Sequence, residues 1–382
     1  MRVLVCTGCS SGLGLAALAA FVDRVIAASS PRRSRWHILA AHRTSELSDE
    51  QHALTARCDH HGIPLAWLPL DLADAHSVHS FARTVHHRAP HHIDALLLNA
   101  ACWNTTCTGV PLGDTTWTEE AVVNACSQHL LVGLLGPLLG SSGPSRIVVT
   151  TSNLHKFVSS LDHLTSLLHP PPSPPSHSAP PSTGKSRYAA SKAAQLVSAA
   201  YWASKLRDNR VQVVAVSPGF VPTTGLSRSS GPLARWAMQH LISWAPFAVS
   251  LEEGAARIAR CLPLDSLPPP DSSAPAPSDL PTDALSALLL HASTASPASA
   301  DPAEDASVAS PARPANPLPF LCLSLPSSAQ LPSPADFRTG TACTPGGLFG
   351  SQEIRARTAA EGWEGIAREV FGRWEEWTRG AA

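Results

Sequence analysis

The sequence lacks an excess of charge of either sign. Its 382 residues include 28 basic and 29 acidic side chains, which leave a formal net charge of −1. A protein without a net positive field has no long-range electrostatic attraction for the phosphates of nucleic acids or for anionic membranes. We therefore expect no nucleic-acid partner.

Three further features are missing: a disulfide framework, a membrane span and a leader segment. The nine cysteines are odd in number, which argues against a set of paired disulfides. The apolar residues 128–140 are interrupted by Pro137 and fall short of the ~20 residues that cross a bilayer, so we expect the buried half of a helix there. The first apolar run begins at Arg2 and leaves no room for a leader. These absences favour a cytoplasmic protein.

Proline, in contrast, is abundant and unevenly distributed. Of 35 prolines, seven lie in residues 170–181 and sixteen in residues 263–334. Such segments cannot bury enough apolar surface to offset the entropy of ordering. We therefore predict a single domain in three parts. Residues 1–262 form a core with a proline-rich insert at 169–184, residues 263–316 form a disordered insert, and residues 317–382 complete the core with a last strand and a C-terminal helix.

Short apolar runs alternate with helical patterns along the chain. Strands are predicted at residues 2–6, 36–41, 65–68, 94–98, 146–150 and 211–216. Runs of this length separated by helices are typical of a parallel sheet with helices on both faces. The sequence therefore predicts an α/β fold of the Rossmann type with a doubly wound parallel sheet. A weaker strand at 318–323 and one amphipathic helix at 353–379 would close it.

The first strand leads into a glycine-rich segment, residues 7–14, and then into a helical pattern. Glycines permit a close approach of the backbone, and a helix N-terminus offers N–H groups and a positive dipole end to a phosphate. Strand, glycine-rich turn and helix together predict a nucleotide site, with an ordinary turn as the alternative. The contacts would come from Gly8, Ser10, Ser11, Gly12, Leu13 and Gly14.

Tyrosine occurs only twice, and Tyr188 precedes Lys192 by about one helical turn. Side chains four residues apart on a helix share a face. A cation ~4 Å from the phenol favours the phenolate by roughly 4 kcal/mol at an effective dielectric of about 20. That would bring the tyrosine pKa from ~10 to about 7, before any cost of desolvation is subtracted. The pair is therefore predicted to exchange a proton with a carbonyl oxygen.

The sequence resembles the short-chain dehydrogenase/reductase family, whose members combine a Thr-Gly-x-x-x-Gly-x-Gly turn with a Tyr-x-x-x-Lys pair. Both motifs are present here, at residues 7–14 and 188–192. Further segments match the family in its own order, at residues 68–72, 96–101, 118–124, 147–152 and 217–219.

The resemblance implies four catalytic residues. Tyr188 would be the general acid in a reduction, while Lys192 would lower its pKa and hold the ribose of a nicotinamide cofactor. Ser152 would hydrogen-bond the substrate oxygen, and Asn124 would position a water between Lys192 and solvent. The activity implied is hydride transfer.

The residue after the second strand bears on the choice of cofactor. Arg43 stands there with no Asp or Glu beside it. In enzymes that use NADP an Arg at this place binds the ribose 2′-phosphate, whereas an acid there suits NAD. The resemblance thus implies NADP, in its reduced form NADPH, as the cofactor. Further contacts would come from Asp71, Leu72, Asn99, Ala100, Ala101, Lys192, Pro218, Gly219, Val221 and Thr223.

Within the family, residues 36–43, 222–228 and 250–255 are most similar to light-dependent protochlorophyllide reductases and to retinol dehydrogenases. This similarity implies light-driven reduction of protochlorophyllide, which is the alternative to a lipophilic carbonyl or alcohol as substrate. A lipophilic substrate would suit the apolar residues 233–249. Three features depart from the light-dependent enzymes. Phe220 replaces a Cys, the segment between Ser152 and Tyr188 is shorter and proline-rich, and residues 125–128 read Ala-Cys-Ser-Gln instead of His-Leu-Gly-His. A second alternative is a non-catalytic nucleotide-binding protein, which would not need all four catalytic positions.

Other segments bear on partners. The apolar residues 233–249 favour a lid packed over the substrate site, with membrane association or a hydrophobic channel as alternatives. The histidine pairs at 60–61, 86–87 and 91–92 have no carboxylate or Cys at ligand spacing, so no metal site is predicted. The expected partner is a small molecule, and the sequence leaves a homo-oligomer open.

Overall fold

The computed structural model describes residues 1–28, 36–44, 46–171, 182–206, 210–222, 248–264, 321–324, 347–372 and 374–377. Thr223, nearly all of the predicted lid at 233–249 and most of the predicted inserts at 169–184 and 263–316 lie outside these residues. The division into core and inserts therefore stays a prediction.

A parallel sheet forms the centre of the described fold, with the strand order β3-β2-β1-β4-β7-β8-β9. The six strands predicted from apolar runs are confirmed to within one residue at each end. A separate antiparallel hairpin, β5–β6, was not predicted, because its four-residue strands contain Pro111 and little apolar alternation. The strands are β1 (Arg2–Thr7), β2 (Trp36–His42), β3 (Leu65–Pro69), β4 (Ala95–Leu98), β5 (Gly109–Leu112), β6 (Thr115–Thr118), β7 (Ser145–Thr150), β8 (Val211–Ser217) and β9 (Leu321–Ser324).

Helices cover both faces of the sheet, which confirms the doubly wound α/β architecture. The first, second and seventh helices pack on one face, and the third to sixth and eighth on the other. They are α1 (Gly12–Ala27), α2 (Asp49–His60), α3 (Ala75–Arg88), α4 (Glu119–Leu138), α5 (Leu161–Leu168), α6 (Gly184–Lys205), α7 (Leu251–Cys261), α8 (Gln352–Phe371) and α9 (Trp374–Trp377).

Strand β1 shows why the central strands are continuous apolar runs. Val3 and Val5 enter the core on the α3–α6 face, whereas Leu4 and Cys6 enter the core on the α1 face. Successive side chains of a strand point to opposite faces, so a strand buried on both faces must be apolar at every position.

Helix α4 lies inside the protein. Among the described residues it is the one helix long and apolar enough to cross a membrane, and 72% of its most apolar window is buried in the fold. Such burial is typical of a core helix, in agreement with the placement predicted for residues 128–140. One wide, π-type turn, Val122–Cys126, interrupts it.

The C-terminal helix is interrupted where one continuous helix was predicted. In place of one helix over 353–379, α8 kinks at Gly362 and ends at Phe371, and α9 follows at Trp374–Trp377, while residues 378–379 lie outside the described residues. Gly362 has a φ of 65° and Gly372 a φ of 60°, and a residue in the left-handed region interrupts a right-handed helix. The apolar stripe of α8 is core, since Trp363, Ile366 and Phe371 are buried.

The last strand joins the sheet from a distant part of the chain. β9 pairs in parallel with β8, Val214 opposite Leu321, although roughly a hundred residues separate the two strands in sequence. The predicted strand at 318–323 is thus confirmed over its described part.

Candidate active site

The carboxyl ends of the parallel strands gather the predicted site residues at one edge of the sheet. From β1 the chain continues through β2 and β3 on one side and then returns to β4 on the other. In doubly wound sheets, ligands bind in a crevice where the strand order reverses, which here is between β1 and β4. The glycine-rich turn after β1 and the Asn99 turn after β4 form its two sides.

These two turns are bonded to each other. Asn99 Nδ2 donates to the carbonyl of Gly8 over 2.9 Å. Gly8 has a φ of 65°, and a Cβ added to it would overlap the Cα of Ala100. A Cβ on Gly14 would overlap the carbonyl oxygen of Gly8 and the Asn99 amide. Both glycines are therefore required by the close approach of the backbones.

The start of α1 suits a phosphate. Its N-cap residue, Ser11, makes no side-chain cap hydrogen bond to the first turn. An uncapped helix start presents N–H groups and a positive dipole end, the donors that a phosphate needs. Each of the other described helices of eight residues or more has a side-chain cap, from Ser48, Asp74, Thr118, Ser160, Thr183, Ser250 and Ser351 in turn.

The other residues predicted to bind cofactor lie along the same edge. Arg43 follows β2 and is exposed. The Asp71 carboxylate, after β3, accepts a hydrogen bond from Ala73 N–H, so it already holds its own turn. The carbonyl of Pro218, after β8, accepts one from Arg257. The first turn contains four half-buried residues, Ser10, Ser11, Gly12 and Leu13. Ala101 is also half-buried, whereas Leu72 and Val221 are buried. Thr223 lies outside the described residues.

Tyr188 and Ser152 meet at this edge. Tyr188 lies on the second turn of α6 and is only 5% exposed. The side chain of Ser152, two residues after β7, lies close enough to the phenol to act on its pKa. The ring of Trp103 stacks on the phenol, with centroids 4.9 Å apart and an interplanar angle of 19°.

The state of charge at the site differs from the prediction. Burial, followed by the neighbouring Cys102, raises the pKa of Tyr188 well above its usual value, and the nearby Ser152 hydroxyl lowers it only in part. Burial lowers the pKa of Lys192 to about 7. The expected fall of the Tyr188 pKa is wrong, because burial of the phenol outweighs the attraction of the ammonium beside it.

Lys192 is held at two of its three donor positions. Its Nζ donates to the carbonyl of Thr150 over 2.9 Å and to Oε1 of Gln195 over 3.0 Å. It lies 5.7 Å from the centroid of the Tyr188 ring. An ammonium has three N–H donors, so a third is available for a further acceptor.

Asn124 lies in the π-type turn of α4, which turns its side chain toward the loop after β4. Its Oδ1 accepts from Cys102 N–H at 2.7 Å, and its Nδ2 donates to the Cys102 carbonyl and to Ser191 Oγ, both at 2.9 Å. The side chain thus fixes loop and helix together. The predicted role in positioning a water stays a prediction.

Two residues at the site were not predicted. Gln195 Nε2 donates to Gln128 Oε1 over 3.1 Å, and Gln128 Nε2 donates to the carbonyl of Ala100 over 2.7 Å. These amides connect Lys192 to the turn after β4. Helical spacing was the available signal, because Gln128 follows Asn124 by four positions and Gln195 follows Lys192 by three.

A buried ion pair anchors the loop that carries Trp103. Arg187, the residue before Tyr188, is 1% exposed and bonds Glu120 Oε1 at 3.2 Å. The same guanidinium donates to the carbonyls of Ser182, Asn104 and Thr106 at 2.9–3.0 Å. It therefore joins α4, α6 and the loop into one unit.

Cys6, in β1, and Cys9, in the turn that follows, have a C-x-x-C spacing. Cys6 and Cys9 are both fully buried, and their mutual hydrogen bond and burial raise the pKa of Cys6 well above its usual value. Such thiols are unreactive. No group of three or more His, Cys, Asp or Glu side chains able to hold a metal occurs in the described part of the chain.

Comparisons with known proteins place the chain among oxidoreductases. No protein-family model matches it. It is 32% identical to short-chain dehydrogenase/reductase GME11359 of Pestalotiopsis microspora, over 70% of this chain and 84% of that protein. It is 31% identical to mouse retinol dehydrogenase 14, over 66% of this chain and 70% of that protein. The predicted likeness to retinol dehydrogenases is confirmed, and that to protochlorophyllide reductases is not.

Among solved structures, the chain is similar to NADPH-bound carbonyl reductase from chicken fatty liver. The sequence identity is 19% and the TM-score 0.45, over 70% of this chain and 93% of that one.

Proposed function

Because the chain belongs to the short-chain dehydrogenase/reductase family of oxidoreductases, we propose that it transfers hydride between NADPH and a lipophilic carbonyl compound or the corresponding alcohol. The observation that carries this proposal is the cluster of Ser152, Tyr188 and Lys192 at the carboxyl edge of the sheet. The cluster supplies two hydroxyl groups that can bond one substrate oxygen, and the ammonium of Lys192 lies beside the phenol.

In the proposed reaction the nicotinamide, when bound, supplies the hydride, and the chain supplies the proton. Ser152 donates a hydrogen bond to the carbonyl oxygen, and Tyr188 gives its phenolic proton to the same oxygen. The phenolate left behind is stabilised by the charged form of Lys192. Reduction therefore needs a protonated lysine, and its rate should fall as the pH rises through the pKa of Lys192, which is about 7.

Two features support NADPH as the cofactor. The uncapped start of α1 and the bonded glycine turn suit the pyrophosphate. Arg43 is exposed after β2 with no acid beside it, a place from which a guanidinium can bind a 2′-phosphate.

Apolar surface near the site supports a lipophilic substrate. Phe157, which ends the short helix after Ser152, is 60% exposed, and Phe220, directly after the Pro218–Gly219 turn, is 39% exposed. Exposed aromatic side chains beside a site favour apolar ligands. The relative named retinol dehydrogenase 14 agrees with this choice. Membrane association and homo-oligomerisation stay predictions.

The test is NADPH oxidation in the dark over a panel of ketones, aldehydes, retinals and keto-sterols. We expect turnover by the unmodified chain, faster with NADPH than with NADH. Tyr188→Phe should lose roughly 10²–10⁴-fold in turnover while NADPH binding, followed by fluorescence, is retained. Tyr201→Phe is the matched control, because Tyr201 is the other tyrosine, lies on the same helix and is also buried. It should keep full turnover.

Full turnover by Tyr188→Phe would show that another group is the acid. Binding of NADPH without turnover on any compound would favour a non-catalytic nucleotide-binding protein. Product formed from protochlorophyllide only under illumination would identify the light-dependent reaction instead.

A further inference from the structure

A continuous chain of amides leads from the ammonium of Lys192 to the turn after β4. Lys192 Nζ donates to Gln195 Oε1 over 3.0 Å, Gln195 Nε2 to Gln128 Oε1 over 3.1 Å, and Gln128 Nε2 to the carbonyls of Ala100 and Val123 over 2.7 and 3.1 Å. Lys192, Gln195 and Gln128 are all at most 2% exposed.

The partners at the two ends fix the orientation of both amides. An ammonium only donates, so the oxygen of Gln195 must face Lys192. The carbonyl of Ala100 only accepts, so the nitrogen of Gln128 must face Ala100. A flip of either side chain would set donor against donor or acceptor against acceptor. Both amide dipoles therefore point their negative ends toward the lysine and stabilise its charge.

We propose that Gln195 and Gln128 are positioning residues that keep Lys192 charged and fix it relative to the turn after β4. The proposal rests on the proposed function, in which Lys192 must be charged to stabilise the phenolate of Tyr188. A side chain that acts through Lys192 in this way touches neither substrate nor cofactor itself.

The surroundings explain why the lysine needs such support. Among the described residues, the titratable side chains that face it are Tyr188 on its own helix and Cys102 in the loop after β4. The pKa of both groups is raised, so both are neutral near pH 7. With no carboxylate bonded to Lys192, the carbonyl of Thr150 and the amide of Gln195 are the dipoles that offset its burial.

Amides do not release protons near neutral pH. The chain of amides therefore orients and polarises the surroundings of Lys192 but does not conduct protons. The cavity beside Gln128 and Gln195 measures only about 10 Å³, the lower limit for one water. The amide pair therefore differs in action from a water path to solvent, such as the one predicted for Asn124.

The test uses the scarcity of lysine, of which the chain has four. In protein labelled with ¹³C at the lysine ε-carbon, the signal of Lys192 is assigned by its loss in Lys192→Arg, and its titration is followed by NMR in the ligand-free chain. Gln195→Met removes the acceptor and should lower the midpoint by about one pH unit. Gln195→Glu replaces the amide by a carboxylate of the same shape, which adds a negative charge and should raise the midpoint of Lys192 by at least as much. Gln128→Met should lower it by less than Gln195→Met.

Gln212→Met is the matched control, because Gln212 Oε1 likewise accepts from a buried cation, Arg146, but at the opposite end of the sheet. It should leave the midpoint of Lys192 unchanged. The pH above which NADPH-dependent reduction declines should move with the midpoint, downward in Gln195→Met and upward in Gln195→Glu.

Equal midpoints in all variants, or shifts of the same sign in Gln195→Met and Gln195→Glu, would overturn the proposal. The titration does not depend on turnover. If the unmodified chain reduced no substrate, the proposed function would fail while the titration still decided the role of the amides.

Discussion

Replacing Arg187 by Met should cost about 3–5 kcal/mol of the free energy of unfolding. Its guanidinium is fully buried with Glu120, which is 0% exposed, and bonds three backbone carbonyls besides the carboxylate. Met fills a similar volume but leaves the carboxylate of Glu120 buried without a cation. One oxygen of that carboxylate, Oε2, already has no hydrogen-bond partner. Urea unfolding followed by circular dichroism should show a midpoint at least about 1 M lower.

A double-mutant cycle tests the cause. Glu120→Gln keeps an oxygen for the N–H of Asn104, which bonds Oε1 at 3.3 Å, but removes the charge. Arg187→Met combined with Glu120→Gln should therefore be more stable than Arg187→Met alone, by roughly 1–3 kcal/mol. A loss under about 1 kcal/mol in the single variant, or additive losses in the double variant, would refute a destabilisation caused by the unpaired carboxylate.

Two further predictions concern the glycine turn and a buried histidine. Gly14→Ala should weaken NADPH binding at least about tenfold, because the new Cβ would overlap the Gly8 carbonyl and the Asn99 amide. The control is Gly136→Ala, which has open space around it and should bind NADPH normally in the same titration. Burial lowers the pKa of His129 to about 3, below its unfolded value of ~6.5. At a pH between these two values unfolding takes up a proton, so the stability falls as the pH drops from ~6.5 toward about 3. Between about pH 7 and about pH 4.5 the loss should be roughly 2–3 kcal/mol. His129→Gln should lose less free energy of unfolding over the same pH range, measured by urea unfolding. An equal dependence of stability on pH in both proteins would contradict this.

The fold could be predicted because each central strand has a distinct local signal. Strand β1 is a continuous apolar run between the chain start and a glycine turn, and β7 and β8 end at equally clear polar turns. The break at Gly372 could not be predicted with the same ease, since a glycine within a helical pattern is tolerated at moderate cost.

The residues of the site could be predicted more readily than their state of charge. Family motifs gave Ser152, Tyr188 and Lys192, and the structure brings these three together. Spacing on a helix predicted attraction between the phenol and the ammonium, but it contains no information on burial, which dominates both pKa values. Gln195 and Gln128 escaped notice because their contact joins two helices and depends on tertiary packing alone.

The pairing of β8 with β9 has a consequence for synthesis of the chain. A ribosome adds roughly 5–20 residues per second, so β9 follows its partner by an interval on the order of 5–20 s. During that time the outer edge of β8 presents unpaired backbone groups, to which strands of other chains can add. Protection from aggregation while the protein is being made therefore depends on a strand that holds none of the proposed catalytic residues.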